Sequence, residues 1–378
     1  MGKLFAALAD YIRETDKKML SLCLVASCFG CIAVLSATHY TGSIRQFAMQ
    51  AGCMVLGLVA AVFVSLFDFE TLLKRWYFAA AIGIIPVLLT FVIGVGPAGT
   101  DDKAWLNLGF TTVQPAEFAK ICFIITFSYH LSRVADKINR LRYLIPVCLH
   151  GAAPVLLIHF QGDDGTALIF AVMVLCMLWA AGVRKKYFAI FFSLVLLAAP
   201  LVYFFVMNPD QQARIRLMFD LESDLQGDGW QQWRGRIALA NGGWFGQGLF
   251  KGSLTQMGTA GVPEGYNDFI FVSIGEETGF IGCAIVTLLL FFICRHCLSV
   301  ARETRKLSGK LICVGFFGQI MAQTIINLGM CLSLLPVIGV TLPFFSAGGT
   351  SLSCLYLGIG LILSVYKHRN SRELYLHD

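Results

Sequence analysis

The sequence has 378 residues, of which 57% are hydrophobic and 14% are charged, and its mean hydropathy is +0.72. A soluble domain carries about 25% charged residues, so this composition excludes an ordinary soluble enzyme and indicates a membrane protein. The net charge of +6 does not call for nucleic acid, because basic residues at the cytoplasmic ends of membrane helices give the same sum. We therefore predict no nucleic-acid partner.

Apolar runs between charge clusters approach the length of about 20 residues that a transmembrane helix needs. The ten predicted spans are 19–38, 46–67, 76–95, 114–133, 143–160, 165–183, 187–207, 269–294, 311–338 and 348–366. The fifth and sixth spans are short and close together, which leaves open whether this hairpin crosses fully. The predicted fold is an all-α polytopic membrane protein with one long extracellular loop, and residues 1–378 are predicted to form a single domain.

Lysine and arginine are unequally divided between the two sets of connections. The set that includes both termini carries most of them, and the positive-inside rule places that set in the cytoplasm. The opposite set contains the long loop 208–268, which is rich in glycine and mixed charge and includes Trp230, Trp233 and Trp244. Long loops are usually functional or disordered, and the aromatic content favours order on the membrane surface or on a partner.

Two ionisable residues, Glu117 and Lys120, lie early in the fourth span in "QPAEFAKICF". Their spacing of three places them on one helix face, where they can pair, and Pro115 suits the first helical turn. Charged residues at membrane depth are functional candidates. The pair is interpreted either as a neutral packing contact or as the wall of a cavity that holds an anionic substrate.

The stretch "FQGDDGTALIF" contains Asp163 and Asp164 just before the sixth span. An aspartate at this place often caps a helix, and Asp164 is the predicted cap. The alternative is that the two acids contribute to a metal site, since Mg²⁺ prefers carboxylate and water oxygens.

Two further polar breaks precede the tenth span and the eighth span. "LPFFSAGGTSL" (342–352) contains Ser346, Gly348 and Gly349; it is either a tight turn or a non-helical segment whose N–H groups face a ligand pocket. "GVPEGYNDFIFVSIG" (261–275) places Asp268 at the mouth of the eighth span. Its carboxylate is either a helix N-cap or a functional group at the lipid–water boundary.

Together these stretches resemble the SEDS family (shape, elongation, division and sporulation), of the RodA, FtsW and SpoVE type. The resemblance rests on the order and spacing of motifs along nearly the whole chain, and the short termini favour the RodA type. The motifs are "WLNLGFTTVQPAEFAK", "QGDDGTA", "NGGWFGQGL", "VPEGYNDFIF", "GEETG" and "NLGMCLSLLPVIGVTLPFFSAGGTS". This chain departs from the family pattern at Ala116, at Gly162, at Tyr266-Asn267 and in "WQQWRGRIALANGG".

The resemblance implies a peptidoglycan glycosyltransferase that polymerises lipid II at the outer face of the bacterial plasma membrane. Asp268 is then expected to act as general base on the attacking sugar hydroxyl. The pyrophosphate leaving group needs no acid, so one carboxylate and a cation suffice, whereas glycosidases need a carboxyl pair.

The remaining expectations concern the cation, the substrate and the partners. The cation is Mg²⁺ or Mn²⁺, with Asp268, Asp163 and Glu264 as candidate ligands, or else a set of basic side chains. The candidate substrate-binding residues are Glu117, Lys120, Asp163, Arg214, Arg216, Glu264, Ser346, Gly348 and Gly349. Besides lipid II and membrane lipids, the expected partner is a class B penicillin-binding protein.

Two other classes of function fit the same membrane plan. A transporter of lipid-linked precursors would also have about ten spans, broken helices and charge at membrane depth. An inactive scaffold that recruits a transpeptidase would account for the departures in the loop. Polymer formation by the purified protein distinguishes the enzyme from both alternatives.

Overall fold

The computed structural model describes residues 14–96, 103–109, 112–225, 227 and 229–369. Almost all regular structure in this part of the chain is helical. The α-helices, numbered in chain order, are α1 (Lys17–Ala37), α2 (Arg45–Ser65), α3 (Phe69–Lys74), α4 (Trp76–Ile93), α5 (Pro115–Val134), α6 (Leu141–His159), α7 (Asp164–Ala180), α8 (Lys185–Phe205), α9 (Pro209–Leu217), α10 (Gly229–Gly242), α11 (Ile270–Glu303), α12 (Leu307–Cys331) and α13 (Gly349–His368). Two short strands, β1 (Leu106–Asn107) and β2 (Thr112–Val113), pair antiparallel before α5. Single 3₁₀ turns lie at His39–Thr41, Ala135–Lys137, Leu221–Asp224 and Thr255–Ala260.

Each predicted span overlaps one α-helix, so the all-α membrane fold is confirmed. Within the described ranges, eight helices are long and apolar enough to cross a membrane: α1, α2, α4, α6, α8, α11, α12 and α13. The other two spans contain α5, which carries Glu117 and Lys120 in its first turns, and α7, which has 17 residues. The chain is a multi-pass membrane protein.

Helices α12 and α13 lie at the centre of the bundle. Helix α12 packs against α5, α7 and α11, and α13 packs along α2. Helix α8 has no buried residue, and α2 and α4 present many exposed apolar side chains. Lipid tails are as apolar as leucine side chains, so these outer helices are suited to a lipid environment.

The ninth predicted span, 311–338, is too long. Helix α12 ends at Cys331, and residues 332–348 form an irregular segment. Its first part, 332–339, is exposed or half-buried, and its later part, 340–346, is mostly buried. Ser333 has a φ of 57°, and Pro336 follows three residues later. Hydropathy depends on composition and not on backbone conformation, so it could not separate the apolar residues after Cys331 from the helix.

Helix α11 extends beyond its predicted span, 269–294, to Glu303, and it is kinked at Gly279. That residue has a φ of 67°, a left-handed conformation that glycine adopts without steric cost. The backbone of Trp244 and Phe245 occupies the space where a Cβ at Gly279 would lie. The kink therefore admits the Gly243–Gly246 turn against the helix, and the Phe280 N–H donates to the Gly243 carbonyl at 2.8 Å.

The long loop is ordered by two buried carboxylates of α11. Glu276 accepts hydrogen bonds from the backbone N–H groups of Leu254 (2.9 Å) and Thr255 (2.7 Å) and from the Thr255 hydroxyl (2.7 Å). Glu277 accepts from Gln256 Nε2 at 2.9 Å. Since buried polar groups must be paired, these bonds fix the loop over the end of the bundle at which α11 begins.

We predict that Glu276→Ala destabilises the protein without unfolding its membrane core. The substitution leaves the donors of residues 254 and 255 unpaired, at a cost of about 1–3 kcal/mol per buried group. Thermal unfolding in detergent and proteolysis of the loop measure the effect. Glu303→Ala, at the exposed end of the same helix, is the matched control; equal melting temperatures for the two variants would show that Glu276 does not anchor the loop.

Candidate active site around Asp268

Asp268 lies in the turn that leads into α11. The helix is capped by Phe269 without any side-chain hydrogen bond, so the alternative in which Asp268 is only an N-cap is wrong. Its side chain is partly exposed, and no hydrogen bond or ion pair joins its carboxylate to another residue in the described part of the chain. An unpaired carboxylate at the end of a membrane helix is available to accept a proton.

The backbone of Asp268 is held by Asn327 of α12. The fully buried amide of Asn327 donates to the Asp268 carbonyl and to the Val340 carbonyl, each at 2.7 Å. One side chain thereby connects α12, the start of α11 and the irregular segment 332–348. The position of the Asp268 carboxylate follows from these three elements.

Two residues before Asp268 are fixed by the same irregular segment. The Ser346 hydroxyl donates to the Asn267 carbonyl at 2.8 Å, and the Ala347 N–H donates to the Tyr266 carbonyl at 2.8 Å. On the other side, a Cβ built at Gly339 would lie 3.6 Å from Asp268 Oδ2. Gly339 has a φ of 67°, which favours glycine, so a glycine backbone forms the wall beside the carboxylate.

Asp163 caps α7, and its carboxylate is near enough to Asp268 to act on it electrostatically. Its Oδ1 accepts from the Thr166 N–H at 2.8 Å, and its Oδ2 accepts from Gln114 Nε2 at 2.6 Å. The first turn of α7 touches residues 338–340, because a Cβ at Gly165 would collide with the Ile338 carbonyl. The structure therefore brings Asp163 and Asp268 to one region from distant parts of the sequence.

The sequence prediction placed the cap on the wrong aspartate. Asp164 is the first residue of α7 and does not cap it. Its carboxylate instead contacts His159 Nδ1 at 2.5 Å and accepts from Gln211 Nε2 of α9 at 3.0 Å. Either of two adjacent acids can cap a helix, and here the helix begins one residue earlier than expected.

The acidic surroundings change the proton affinity of Asp268. Burial, with smaller contributions from the Glu264 and Asp163 carboxylates, raises the pKa of Asp268 to about 7. Burial also raises the pKa of Asp163, and the hydrogen bond from Thr166 and the Lys120 charge oppose that rise. A general base works best when its pKa lies near the operating pH, and Asp268 meets this condition.

Glu117 and Lys120 form the predicted ion pair. Lys120 Nζ lies 2.8 Å from Glu117 Oε1, and both side chains are buried, Lys120 completely. Glu117 Oε2 has no partner. In this arrangement neither side chain is exposed to a substrate. The observed contact therefore fits the alternative in which the pair helps the helices to pack. A contact with an anionic substrate stays a prediction.

Of the other candidates, Glu264 acts electrostatically on Asp268, whereas no contact links Arg214 or Arg216 to it in the described part of the chain. Arg214 and Arg216 are exposed on α9, and no hydrogen bond or ion pair links their side chains to the described site residues. Glu264 is exposed, has a φ of 51°, and accepts from Asn267 Nδ2 at 2.6 Å. Their contacts with substrate stay predictions.

The glycine-rich break before α13 is occupied by contacts within the protein. The Gly348 N–H donates to Gln50 Oε1 at 3.2 Å, and Gln50 Nε2 donates to the Ser346 carbonyl at 2.9 Å. A Cβ at Gly349 would collide with the Cys53 sulfur. Ser346 and Gly348 therefore support the Asp268 turn, and ligand contacts by this break stay predictions.

The candidate metal ligands do not form a ready coordination site. In the described ranges, no three His, Cys, Asp or Glu side chains are arranged so that they could hold a metal ion. Asp268, Asp163 and Glu264 influence one another electrostatically but are not a coordination set. The requirement for Mg²⁺ or Mn²⁺ stays a prediction, and no step below depends on it.

Comparison with known proteins identifies the family. A model of the FtsW/RodA/SpoVE cell cycle protein family matches residues 17–371. The chain belongs to this family. Similar curated proteins include the peptidoglycan glycosyltransferase MrdB of Escherichia coli K12 (28% identical, 94% of each chain covered). The probable peptidoglycan glycosyltransferase FtsW of Buchnera aphidicola subsp. Schizaphis graminum is 34% identical over 74% of this chain and 78% of its own.

Solved structures agree with this family and its fold. A chain from "Structural coordination of polymerization and crosslinking by a peptidoglycan synthase complex" has a TM-score of 0.81 and 25% identity, with 95% of this chain and 99% of that chain covered. The Thermus thermophilus rod shape determining protein RodA has a TM-score of 0.69 and 24% identity, with 95% and 98% covered. The latter likeness shows the fold alone.

In this FtsW/RodA/SpoVE family member, sequence reasoning missed the amides that position the site. Asn327, Gln50 and Gln114 make the contacts described above, yet none was proposed as a site residue. Asn327 and Gln50 each interrupt a predicted apolar span. Polar amides in such spans commonly hydrogen-bond across helices, so this was the signal that could have found them.

We predict that the Asp268 carboxyl titrates near pH 7. Isotope-edited infrared spectra of wild type minus Asp268→Asn would show this group as a protonated acid below pH 7 and as a carboxylate above it. Glu264→Gln removes a nearby negative charge and should move the midpoint to lower pH. A midpoint near pH 4 in the wild type would show that the carboxyl is not perturbed by its surroundings.

Proposed function

We propose that this protein is a peptidoglycan glycosyltransferase that polymerises lipid II into glycan strands. The observation that carries the proposal is the unpaired carboxylate of Asp268, with its pKa raised to about 7 and its backbone fixed by Asn327. Membership of the FtsW/RodA/SpoVE family and the similarity to proteins named peptidoglycan glycosyltransferase support it.

The proposed chemical step needs one base. Ionised Asp268 accepts the proton of a sugar hydroxyl while that oxygen forms a bond to the anomeric carbon of a second sugar. The bond from the anomeric carbon to the pyrophosphate breaks, and the pyrophosphate leaves with the electron pair as a stable anion. A second carboxyl group, which protonates the leaving group in glycosidases, is not required.

The place of Asp268 in the chain suits a substrate anchored in the membrane. The residue lies two positions before α11, and the unequal division of lysine and arginine supports an orientation with this end of the helix outside. We propose that both termini are cytoplasmic and that the membrane is the bacterial plasma membrane. A sugar linked to undecaprenyl pyrophosphate would then reach the carboxylate from the outer leaflet.

The proposed protein partner is a class B penicillin-binding protein. The similarity to a chain of a peptidoglycan synthase complex supports an assembly of this kind. Relatives named MrdB and FtsW match with the same 28% identity, so these similarities do not distinguish a role in elongation from a role in division.

Substitution of the proposed base provides the first test of function. We expect Asp268→Asn to form less than about one hundredth of the wild-type polymer from purified lipid II, since general base catalysis contributes about 10²–10⁴-fold. Thermal stability should be retained, because the carboxylate has no partner to lose. Asp210→Asn, on the exposed surface of α9, is the control with the same charge change.

The same assay distinguishes the rival functions and the cation. Wild-type polymer formation excludes the inactive scaffold, whereas lipid II flipping without polymer would support the transporter and contradict the enzyme. Activity that is lost with a chelator and restored by Mg²⁺ or Mn²⁺ supports the predicted cation. Full activity in the chelator contradicts that cation while leaving Asp268 as the base.

Variants of the buried ion pair test the predicted contact with an anionic substrate. Lys120→Met alone leaves Glu117 buried without its partner, which costs about 3–5 kcal/mol, so we expect a lower melting temperature. Adding Glu117→Gln should restore stability. If Lys120 also contacts substrate, the double variant still binds lipid II more weakly than wild type; unchanged affinity in the stable double variant would show that the pair only packs helices.

A further inference from the structure

A groove opens at the end of the bundle that carries the lysine- and arginine-rich connections, which we call the basic end. Asp268 lies at the opposite end. The groove has a volume of about 370 Å³ and is formed by the ends of α7 and α11 and the beginning of α12. Its lining residues are Ala180, Leu298, Ala301, Arg302, Lys310 and Val314. Two alanines leave room between the helices, and the remaining residues divide into cations and apolar side chains.

The two cations of this groove have no acidic partner. Among the described residues, no hydrogen bond, ion pair or ring contact is formed by the Arg302 guanidinium or the Lys310 ammonium. The neighbouring acid, Glu303, already contacts Arg369, with 3.5 Å between Oε2 and Nε. The groove therefore has an uncompensated charge that a negative group can neutralise.

The two cations of the groove lie nearer the membrane surface than its larger apolar residues. Leu298 lies one helical turn before Arg302 on α11, and Val314 lies one turn after Lys310 on α12. A spacing of four residues corresponds to about 6 Å along a helix, and both steps lead towards the centre of the membrane. An anion at the surface with a hydrocarbon chain below it matches this order, whereas a free anion would leave the apolar part unfilled.

The groove also lies at the level expected for lipid headgroups. Trp179, one residue before Ala180, is exposed, and Lys185 Nζ lies 5.9 Å from the centre of its ring. Tryptophan and lysine are typical of the membrane–water interface. Basic pockets between membrane helices on the cytoplasmic side are suited to phospholipid headgroups.

We propose that the groove between α7, α11 and α12 binds one anionic phospholipid of the adjacent leaflet. Arg302 and Lys310 contact the phosphate, and Leu298 and Val314 contact an acyl chain. The same three helices carry Asp163, Asp268 and Asn327 at their other ends. A lipid at the basic end therefore stabilises the packing of the helices that hold the catalytic site, and this inference does not depend on the reaction catalysed there.

Native mass spectrometry of the full chain in a nonionic detergent tests the proposal. The probes are phosphatidylglycerol, phosphatidylcholine and inorganic phosphate. We expect phosphatidylglycerol to remain bound and to raise the melting temperature, and the other two to do neither. Equal retention of phosphatidylcholine would contradict charge recognition, and inorganic phosphate that binds as tightly as the lipid would contradict the lipid as ligand.

Paired variants locate the bound lipid. Arg302→Gln with Lys310→Gln should weaken phosphatidylglycerol binding about thirtyfold, which corresponds to about 2 kcal/mol for two basic residues near an anionic lipid. Arg140→Gln with Arg142→Gln removes the same charge from the exposed start of α6 and should leave binding unchanged. Equal losses in the two double variants would show only a general attraction and overturn the site.

A charge-conserving variant distinguishes an effect of charge on lipid binding from an effect on protein stability. Arg302→Lys with Lys310→Arg should retain phosphatidylglycerol binding within a few-fold. Because neither cation has a protein partner, the glutamine variant should melt at the wild-type temperature in detergent without added lipid. A large fall in that temperature would show a structural role and contradict the proposal.

Discussion

One side chain in the centre of the bundle connects the parts of the site. Asn327 donates to the carbonyls of Asp268 and Val340 and has no exposed surface. Each bond joins a helix to an irregular segment, and irregular backbone is tolerated at membrane depth only where protein satisfies it. The Asp268 turn and the segment 332–348 can therefore exist inside this membrane protein because the amide of α12 pairs with both.

These backbone hydrogen bonds explain how the Asp268 carboxylate stays unpaired and yet keeps a fixed position. The backbone around Asp268 is bonded on both sides, through Asn327 and Ser346, while the carboxylate itself faces the backbone of Gly339. Burial and the neighbouring acids Glu264 and Asp163 make the ionised form less favourable. The site thus holds a carboxyl group of raised proton affinity in a fixed position, and the proposed role as general base requires such a group, because a fixed base costs less reorganisation when the substrate arrives.

The features that could be predicted from the sequence are those that depend on residues close together in the chain. Hydropathy finds the helices, and a spacing of three predicts the Glu117–Lys120 pair. Hydropathy fails at 332–338, where the residues are largely apolar but the backbone is not helical. The approach of Asp163 to Asp268 was expected only in the hypothesis that both contribute to one site. Local sequence patterns do not show it, because it depends on how α7 packs against residues 338–340. The cap was predicted at Asp164 and is formed by Asp163, since helix ends are uncertain by one or two residues.

The most direct test of Asp268 as the base is the pH dependence of kcat/KM for lipid II polymerisation, compared between wild type and Glu264→Gln. Because a base must be deprotonated to act, the rate should rise with pH through a midpoint near 7 in the wild type. The midpoint should move to lower pH in the variant, since a neighbouring negative charge is removed. A wild-type rate that is constant between pH 5 and 9, or an identical midpoint in both proteins, would contradict the account.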